Sequence, residues 1–254
     1  MLFRKTKPRT PQVDFPTGGV LATRQATVTV DTGGEKRTLL KEVTLELTAQ
    51  STAVLGLNGS GKSTFLRLFN GLSLLTSGEV SVDGVGVYEN LAAVRRRVGL
   101  LFSDPAAQLI MPTAIEDVEL SLKHISDKDA RRTAALEALR ARGLEHRAFD
   151  SVFSLSGGEK QLVALAAVLA VKPKVLLLDE PTTLLDLRNR LRLFSLLDEL
   201  PQQKVISTHD LELAARCERA VVIHEGRLLC EGASAEVIES YKYWCAEGFP
   251  HDLG

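Results

Sequence analysis

Residues 56–64, GLNGSGKST, combine glycines, a lysine and hydroxyl side chains in the spacing G-x-x-x-x-G-K-[ST]. The glycines let the backbone turn so that its N–H groups point at phosphate oxygens, and the lysine adds charge for the β- and γ-phosphates. A buried strand pattern before the loop and a helical pattern after it are the context that this chemistry requires. The segment therefore predicts a nucleotide-binding phosphate loop. Its predicted contacts with the nucleotide are Gly56, Asn58, Gly59, Ser60, Gly61, Lys62, Ser63 and Thr64.

An acidic pair follows a buried strand pattern in VLLLDEPT, residues 175–182. Such a strand ends at the carboxyl edge of the sheet, beside the phosphate loop, where Asp179 and the Ser63 hydroxyl can hold Mg²⁺. The adjacent Glu180 is placed to orient or deprotonate water. Because a kinase does not need a water-activating carboxylate at this point, the pair favours hydrolysis.

A histidine, His209, lies just past another strand pattern in VISTHD, residues 205–210. A lone histidine is more often structural than catalytic. Its position after a parallel strand, downstream of Asp179 and Glu180, instead favours contact with the γ-phosphate and a catalytic role.

Two further glycines stand at the start of an apolar helical pattern in LSGGEKQ, residues 155–161. The free N–H groups at a helix start favour an anion. The chain already contains a phosphate loop, so this motif raises the question of which phosphate a second anion site would bind.

The elements that must position these residues alternate between strand and helix, which predicts an α/β fold with a mainly parallel sheet covered on both faces. Before the phosphate loop, alternating hydrophobicity predicts half-buried strands over residues 26–30 and 42–47. After it, TSGEVSVDGVGV, residues 76–87, predicts a hairpin. These segments form an antiparallel N-terminal β-subdomain. Further strands are predicted at VGLLF, KVLLLD and KVIST, and as a pair in AVVIHEGRLLCEG.

Helical patterns follow the phosphate loop in KSTFLRLFNGL, begin at LSGGEK, and recur around residues 189–200. An Arg- and Ala-rich block after residue 104 predicts an inserted helical subdomain. We therefore expect the following organisation: a flexible extension over 1–20, a nucleotide-binding domain over 21–240 with its helical subdomain inserted at about 104–157, and a short C-terminal tail over 241–254.

Composition narrows the function classes. The 254 residues carry a formal net charge of −1, which gives no support to non-specific nucleic-acid binding. The three cysteines are far apart, so neither a disulfide framework nor a metal-type pair is indicated, and a reducing cytoplasm fits best. The longest apolar run, residues 162–171, is too short to span a bilayer, and the basic N-terminus lacks the apolar core of a signal peptide.

The motifs and their order resemble the nucleotide-binding domains of ATP-binding-cassette (ABC) proteins over about residues 22–235, and LSGGEKQ is the most specific element. In that family this helix start faces the γ-phosphate of the opposite subunit, so two ATP molecules lie between two domains. The resemblance implies ATP and Mg²⁺ as cofactors and a second ATPase subunit, as in a homodimer, with Asp186 in the dimer-crossing loop. The residues that it assigns to the partner's ATP are Ser156, Gly157, Gly158 and Glu159.

Three classes of ABC protein come into question: the motor of a membrane transporter, a soluble ATPase of DNA repair or translation, and a nucleotide-gated module with little turnover. Repair-type members carry a long coiled-coil insertion, and translation-type members carry two cassettes, and neither feature is present in this sequence. Glu180 and His209 argue against a module without turnover. The resemblance therefore favours a transporter ATPase, with a soluble ABC ATPase acting on nucleic acid or the ribosome as the alternative.

Residues 98–118, VGLLFSDPAAQLIMPTAIEDV, are similar to a segment of energy-coupling-factor (ECF) importers. The resemblance implies a transmembrane coupling protein, contacted by the helix around Gln108, and a separate substrate-capturing membrane protein. The chain would then be peripheral, at the cytoplasmic face of the cell membrane. Biotin is the expected cargo, and cobalt or nickel, or the cargo of another ABC importer, is the alternative. The residues that fit the segment are Phe102, Pro105, Gln108, Leu109, Thr113 and Glu116.

The sequence departs from the family pattern in two places. Ser103 replaces a glutamine that reaches Mg²⁺ and the attacking water, so we expect its hydroxyl to reach the metal shell through a water. No aromatic residue stands near Val30, where the family stacks one on adenine. Phe15 and Arg24 are the candidate substitutes, and without a stacked aromatic residue the selectivity for adenine is expected to be weak.

Overall fold

The strands form two sheets in the computed structural model, which describes residues 13–15 and 19–250. One sheet has four strands in the order β2-β1-β4-β5, and the other has six in the order β10-β9-β3-β8-β7-β6. The strands are β1 (Leu21–Thr32), β2 (Glu35–Leu47), β3 (Ser51–Leu55), β4 (Ser77–Val82), β5 (Val85–Gly86), β6 (Val98–Leu101), β7 (Val175–Asp179), β8 (Gln203–Ser207), β9 (Arg219–His224) and β10 (Arg227–Ala233).

The four-stranded sheet is antiparallel, which confirms the predicted N-terminal β-subdomain. Both β1 and β2 extend beyond the predicted strands, up to a turn at Gly33 and Gly34. Residues on both sides of this turn are exposed and polar, so alternation of hydrophobic residues could not mark them as strand. They form a hairpin arm that stands out from the buried part of the sheet.

The six-stranded sheet is parallel except for β10, which pairs with β9 in antiparallel fashion. Its central strands are buried on both faces, as parallel strands covered by helices must be. In β7, Leu176 and Leu178 belong to one hydrophobic core, whereas Val175 and Leu177 belong to the other. The carboxyl ends of β3, β7 and β8 lie at one edge, so the segments that follow them meet there.

The helices cover this sheet, and three of them, which follow β6, form the inserted helical subdomain with the start of the long apolar helix. Thr113 and Glu116 form a capping box that fixes the start of the middle helix of this insertion. Its Ile115 and Val118 pack in the same core as Leu165 of the apolar helix. The helices are α1 (Lys62–Leu68), α2 (Leu91–Arg97), α3 (Pro105–Gln108), α4 (Ala114–Ser121), α5 (Lys128–Arg140), α6 (Gly157–Ala170), α7 (Leu187–Glu199), α8 (Leu211–Ala215) and α9 (Ser234–Glu247).

Three helices, α2, α8 and α9, have no counterpart in the sequence prediction. The boundary expected at residue 240 falls inside α9, whose Ile238 and Tyr241 are buried against the sheet core. Beyond α9, the ring of Phe249 stacks on His224 with a centroid distance of 4.0 Å. Most of the extension expected over 1–20 lies outside the described residues. No helix in the described part of the chain combines the length and the apolar character that crossing a membrane requires.

Candidate nucleotide-binding and hydrolytic site

The phosphate loop joins β3 to α1 and borders a cavity of about 320 Å³. Its backbone is left-handed at Gly59 (φ +78°) and at Gly61 (φ +110°). A Cβ atom on Gly61 would lie 2.7 Å from the carbonyl oxygen of Leu39, so β2 passes directly against the loop. Both features require glycine at position 61. The cavity is lined by Arg37, Leu39, Asn58, Gly59, Ser60, Gly61, Lys62, Ser63, Thr64 and Glu180.

Lys62 is buried at the start of α1, and its ammonium group is held at the mouth of the loop. Nζ donates to the carbonyl oxygens of Gly56 at 2.9 Å and Leu57 at 3.2 Å. It also lies 3.4 Å from Oε1 of Glu180. The loop thus holds its cation close to the predicted catalytic carboxylate, where an incoming phosphate can take over these contacts.

Asp179 ends β7 and is fully buried. Its Oδ1 accepts hydrogen bonds from the Ser63 hydroxyl at 2.8 Å and from the Ser207 hydroxyl at 2.7 Å. A guanidinium nitrogen of Arg67 lies 3.3 Å from Oδ2. The predicted pair Ser63 and Asp179 is therefore in contact, and carboxylate and hydroxyl oxygens are the ligands that Mg²⁺ prefers. The residues present fit this ion.

Glu180 lies one residue beyond β7 in a left-handed backbone conformation, with φ +48°. Its backbone N–H donates to the carbonyl oxygen of Ser207 at 2.9 Å, which anchors this conformation on β8. Its Oε2 lies 2.7 Å from Nδ1 of His209, whose side chain is 58% exposed. Because the carboxylate engages Nδ1, it orients the imidazole and leaves Nε2 available for a ligand. The structure therefore brings together the residues predicted from two separate motifs.

The LSGGEKQ motif forms the start of α6, away from the cavity beside Lys62. Ser156 is the N-cap, and it forms a capping box with Glu159. The backbone N–H of Ser156 and the guanidinium of Arg147, 2.9 Å away, stabilise the charged carboxylate and lower the pKa of Glu159 to about 2. Ser156 and Gly157 are exposed. Asp186 caps α7 by accepting from the backbone N–H of Asn189 at 2.8 Å.

Ser103 lies just past β6, at the same sheet edge as the acidic pair. Leu101 of β6 is paired with Leu178 of β7, so Ser103 is level with Glu180. The preceding Phe102 ring lies 5.8 Å from the guanidinium carbon of Arg67. Arg67 therefore contacts both this segment and Asp179, a connection that no sequence pattern indicated.

Gln108 turns back towards β6. Its side-chain oxygen accepts from the backbone N–H of Phe102 at 2.9 Å, and its amide nitrogen donates to the carbonyl oxygen of Leu100 at 3.2 Å. These bonds fix α3 against the end of β6. Gln108 thus positions the segment around Ser103 instead of projecting from the surface.

Neither residue expected to replace the adenine-stacking aromatic lies at the cavity. The ring of Phe15 lies 4.4 Å from the guanidinium carbon of Arg97. Arg24 lines a different cavity, together with Glu79 and Tyr88. The side chains from the N-terminal sheet that line the nucleotide cavity belong to β2 instead.

A phosphate loop, a buried aspartate and a glutamate–histidine pair at the carboxyl edge of a mainly parallel sheet define a phosphate-loop nucleotide hydrolase. A family profile described as ABC transporter matches residues 40–183. The chain belongs to this family of ATP-binding transporter subunits. It is an ABC ATPase that hydrolyses ATP, and its predicted fold class and family are confirmed.

Two relatives and one solved structure show which members of the family this chain is similar to. It is 42% identical over 207 residues to the biotin transport ATP-binding protein BioM of Rhizobium etli, covering 81% of this chain and 92% of the relative. It is 38% identical over 193 residues to the energy-coupling factor transporter ATP-binding protein EcfA1 of Levilactobacillus brevis, covering 74% and 69%. The dimeric post-hydrolysis state of the ATP-binding cassette MJ0796 bound to ADP and Pi superposes with a TM-score of 0.78 at 32% identity, covering 84% of this chain and 98% of that chain.

Proposed function

We propose that this chain is the ATP-hydrolysing subunit of an energy-coupling-factor importer, and that the cargo is biotin. The contact of Ser63 with Asp179 beside the Glu180–His209 pair is the observation that carries ATP hydrolysis. The likeness to BioM and EcfA1 supports the type of importer. Cobalt or nickel is the alternative cargo.

In this proposal the residues of the phosphate loop bind ATP, with Lys62 facing the β- and γ-phosphates. Ser63 and Asp179 would hold Mg²⁺, and the ion would neutralise phosphate charge. Glu180 accepts a proton from the attacking water, and His209 contacts the γ-phosphate through Nε2. Ser103 would face the metal from the end of β6, level with Glu180.

A second copy of the chain completes each site. Ser156 and Gly157 are exposed at the start of a 14-residue helix, and their N–H groups suit an anion. Within one chain they do not line the cavity beside Lys62. We therefore assign residues 156–159 to the ATP of the opposite subunit, with Asp186 near the crossing between subunits.

A surface next to α3 supports contact with a transmembrane coupling protein. Residues 110–115 run beside residues 148–153, since Val152 donates its N–H to the carbonyl oxygen of Pro112 at 3.0 Å. These two segments carry large exposed apolar side chains, which mark a partner surface when they cluster. With this surface docked, the chain lies peripherally at the cytoplasmic face of the membrane. The exposed side chains are Ile110 (72%), Phe149 (60%) and Phe153 (87%).

The uptake of radiolabelled biotin by cells that lack this chain tests the proposal. We expect uptake to fall on deletion and to return with the wild-type chain. Phe153→Asp should lower the restored uptake by more than about tenfold, because a charge is placed in an apolar contact. Tyr243→Asp is the matched control, since Tyr243 is 63% exposed on α9, on a different element.

Different failures are distinguishable. Loss of cobalt or nickel uptake in place of biotin uptake would support the alternative cargo. Unchanged uptake of all three would contradict both the proposed cargo and the cobalt or nickel alternative. Full restoration by Phe153→Asp would show that the coupling protein does not dock on this surface.

A further inference from the structure

The cavity beside the phosphate loop has an arginine at its rim. Arg37 and Leu39 both line this cavity, and both belong to β2. The pairing of β2 with β1 is irregular between them, since Thr38 pairs with Thr29 and Leu40 with Val28, and this bulge lets both side chains border the same cavity. Arg37 is exposed and, among the described residues, takes part in no ion pair. Its charge is therefore available to a ligand.

β2 is fixed relative to the phosphate loop by backbone contacts. Lys41 donates its N–H to the carbonyl oxygen of Gly226 at 2.8 Å, and Gly226 donates its N–H to the carbonyl oxygen of Ser60 at 2.9 Å. The carbonyl oxygen of Leu39 lies at the surface of Gly61. Arg37 thus has a defined place with respect to the loop.

Arg37 lies on β2 at a point that is further from the phosphate loop than Leu39. The carbonyl oxygen of Leu39 lies against the loop, and Arg37 is two residues further along β2 towards the turn at Gly33 and Gly34. Val30, its partner across the hairpin, is 37% exposed and lies on the same face. A nucleotide whose phosphates occupy the loop has its base at the far end of the molecule, which is the end of the cavity where Arg37 lies.

We propose that the guanidinium of Arg37 stacks on the purine base of the bound nucleotide and is the base platform of this site. A guanidinium is planar and weakly hydrated, and it stacks well on flat π systems. Val30 and Leu39 flank it with apolar surface. This inference rests on the proposed nucleotide site, and it adds the residue that contacts the base.

A stacking contact has a consequence for specificity. Adenine and guanine both present a π face, and they differ in the hydrogen-bonding groups on their edges. A guanidinium that stacks on the face makes no hydrogen bond with those edges. We therefore expect ATP and GTP to bind within about tenfold of each other, because stacking tolerates any base.

Equilibrium binding of ATP, GTP and inorganic tripolyphosphate to the full chain, measured by calorimetry with Mg²⁺, tests the platform. Arg37→Ala should weaken ATP and GTP by about 5- to 150-fold, the range expected from loss of one base stack. Tripolyphosphate has no base, so its affinity should change by less than about twofold. Arg37→Tyr should restore both nucleotides, whereas Arg37→Lys, which keeps the charge without the plane, should not.

Two controls separate the possible failures. Lys36→Ala removes a neighbouring cation from the opposite face of β2 and should leave all three affinities unchanged, whereas Lys62→Ala should weaken all three. Arg37→Ala that weakens tripolyphosphate as much as ATP would show a phosphate contact and overturn the platform. Unchanged ATP affinity in Arg37→Ala would also overturn it. A wild-type chain that binds neither ATP nor tripolyphosphate would contradict the nucleotide site and the platform with it.

Discussion

The contact between β2 and the phosphate loop makes a quantitative prediction for two glycines. Gly59 and Gly61 both have a positive φ, of +78° and +110°. A Cβ on Gly59 would meet nothing within 4 Å, whereas a Cβ on Gly61 would lie 2.7 Å from the carbonyl oxygen of Leu39 and 3.0 Å from Cδ2 of Leu40. The two alanine variants therefore differ mainly in their effect on β2, which must move in Gly61→Ala but not in Gly59→Ala.

The expected free energies follow from these contacts. Gly59→Ala adds backbone strain of about 1–2 kcal/mol. Part of this is offset because alanine restricts the unfolded chain, by about 0.4–1 kcal/mol. Gly61→Ala carries strain of about 1–3 kcal/mol. It adds an overlap with a backbone atom, and overpacking of this kind costs about 1–3 kcal/mol. The unfolded-chain effect is common to both variants and cancels, so we expect Gly61→Ala to be less stable than Gly59→Ala by about 1–4 kcal/mol.

Thermal unfolding of the nucleotide-free proteins measures this difference. At about 2–4 °C per kcal/mol for a chain of this size, Gly61→Ala should unfold roughly 2–16 °C below Gly59→Ala. The unfolded states carry the same glycine-to-alanine change, so the comparison isolates the folded state. Equal melting temperatures would refute the reasoning, because they would mean that β2 does not press on the loop.

Two predictions concern catalysis. Glu180→Gln should trap an ATP-dependent dimer, because glutamine keeps the shape of the side chain but cannot accept a proton from water. Light scattering with and without ATP measures the dimer. A variant that stays monomeric with ATP while the wild type dimerises would contradict the role of Ser156 across a dimer. Ser103→Gln should leave ATP affinity almost unchanged and raise the ATPase rate of the assembled complex more than that of the isolated subunit. Ser103→Ala should slow both only modestly, because holding a bridging water costs up to about 2 kcal/mol of immobilisation entropy and the net gain from the contact is therefore small. Complete loss of hydrolysis in the isolated subunit would instead make Ser103 a direct metal ligand.

The structure brings together residues from motifs that each carry their own structural context. The phosphate loop follows a strand and opens a helix, and the Asp179–Glu180 pair ends another strand. Parallel strands of one sheet end at a common edge, so the motifs had to meet. The structure has Ser63 2.8 Å from Asp179 and Glu180 2.7 Å from His209.

Local patterns were less informative for the elements whose form depends on packing. α9 was expected to be partly tail, but Ile238 and Tyr241 are buried because the sheet edge offers them a surface. The ends of β1 and β2 are polar and exposed, and only their pairing with each other makes them strands. Because both ends are exposed, neither segment shows the alternation of hydrophobic and polar residues that predicts a strand.

The sequence by itself determined the class of chemistry, since the types and spacing of residues in the phosphate loop, in DEPT and in LSGGEKQ are local properties of the chain. Only the tertiary structure decided which distant residues support that chemistry. Arg67 reaches Asp179 across 112 positions of sequence, and Arg37 reaches the nucleotide cavity because β2 packs on Gly61. The first contact arises because α1 packs against β7, and the second because β2 of one sheet passes against the loop that follows β3 of the other. Neither residue carries a mark of its partner in the neighbouring sequence.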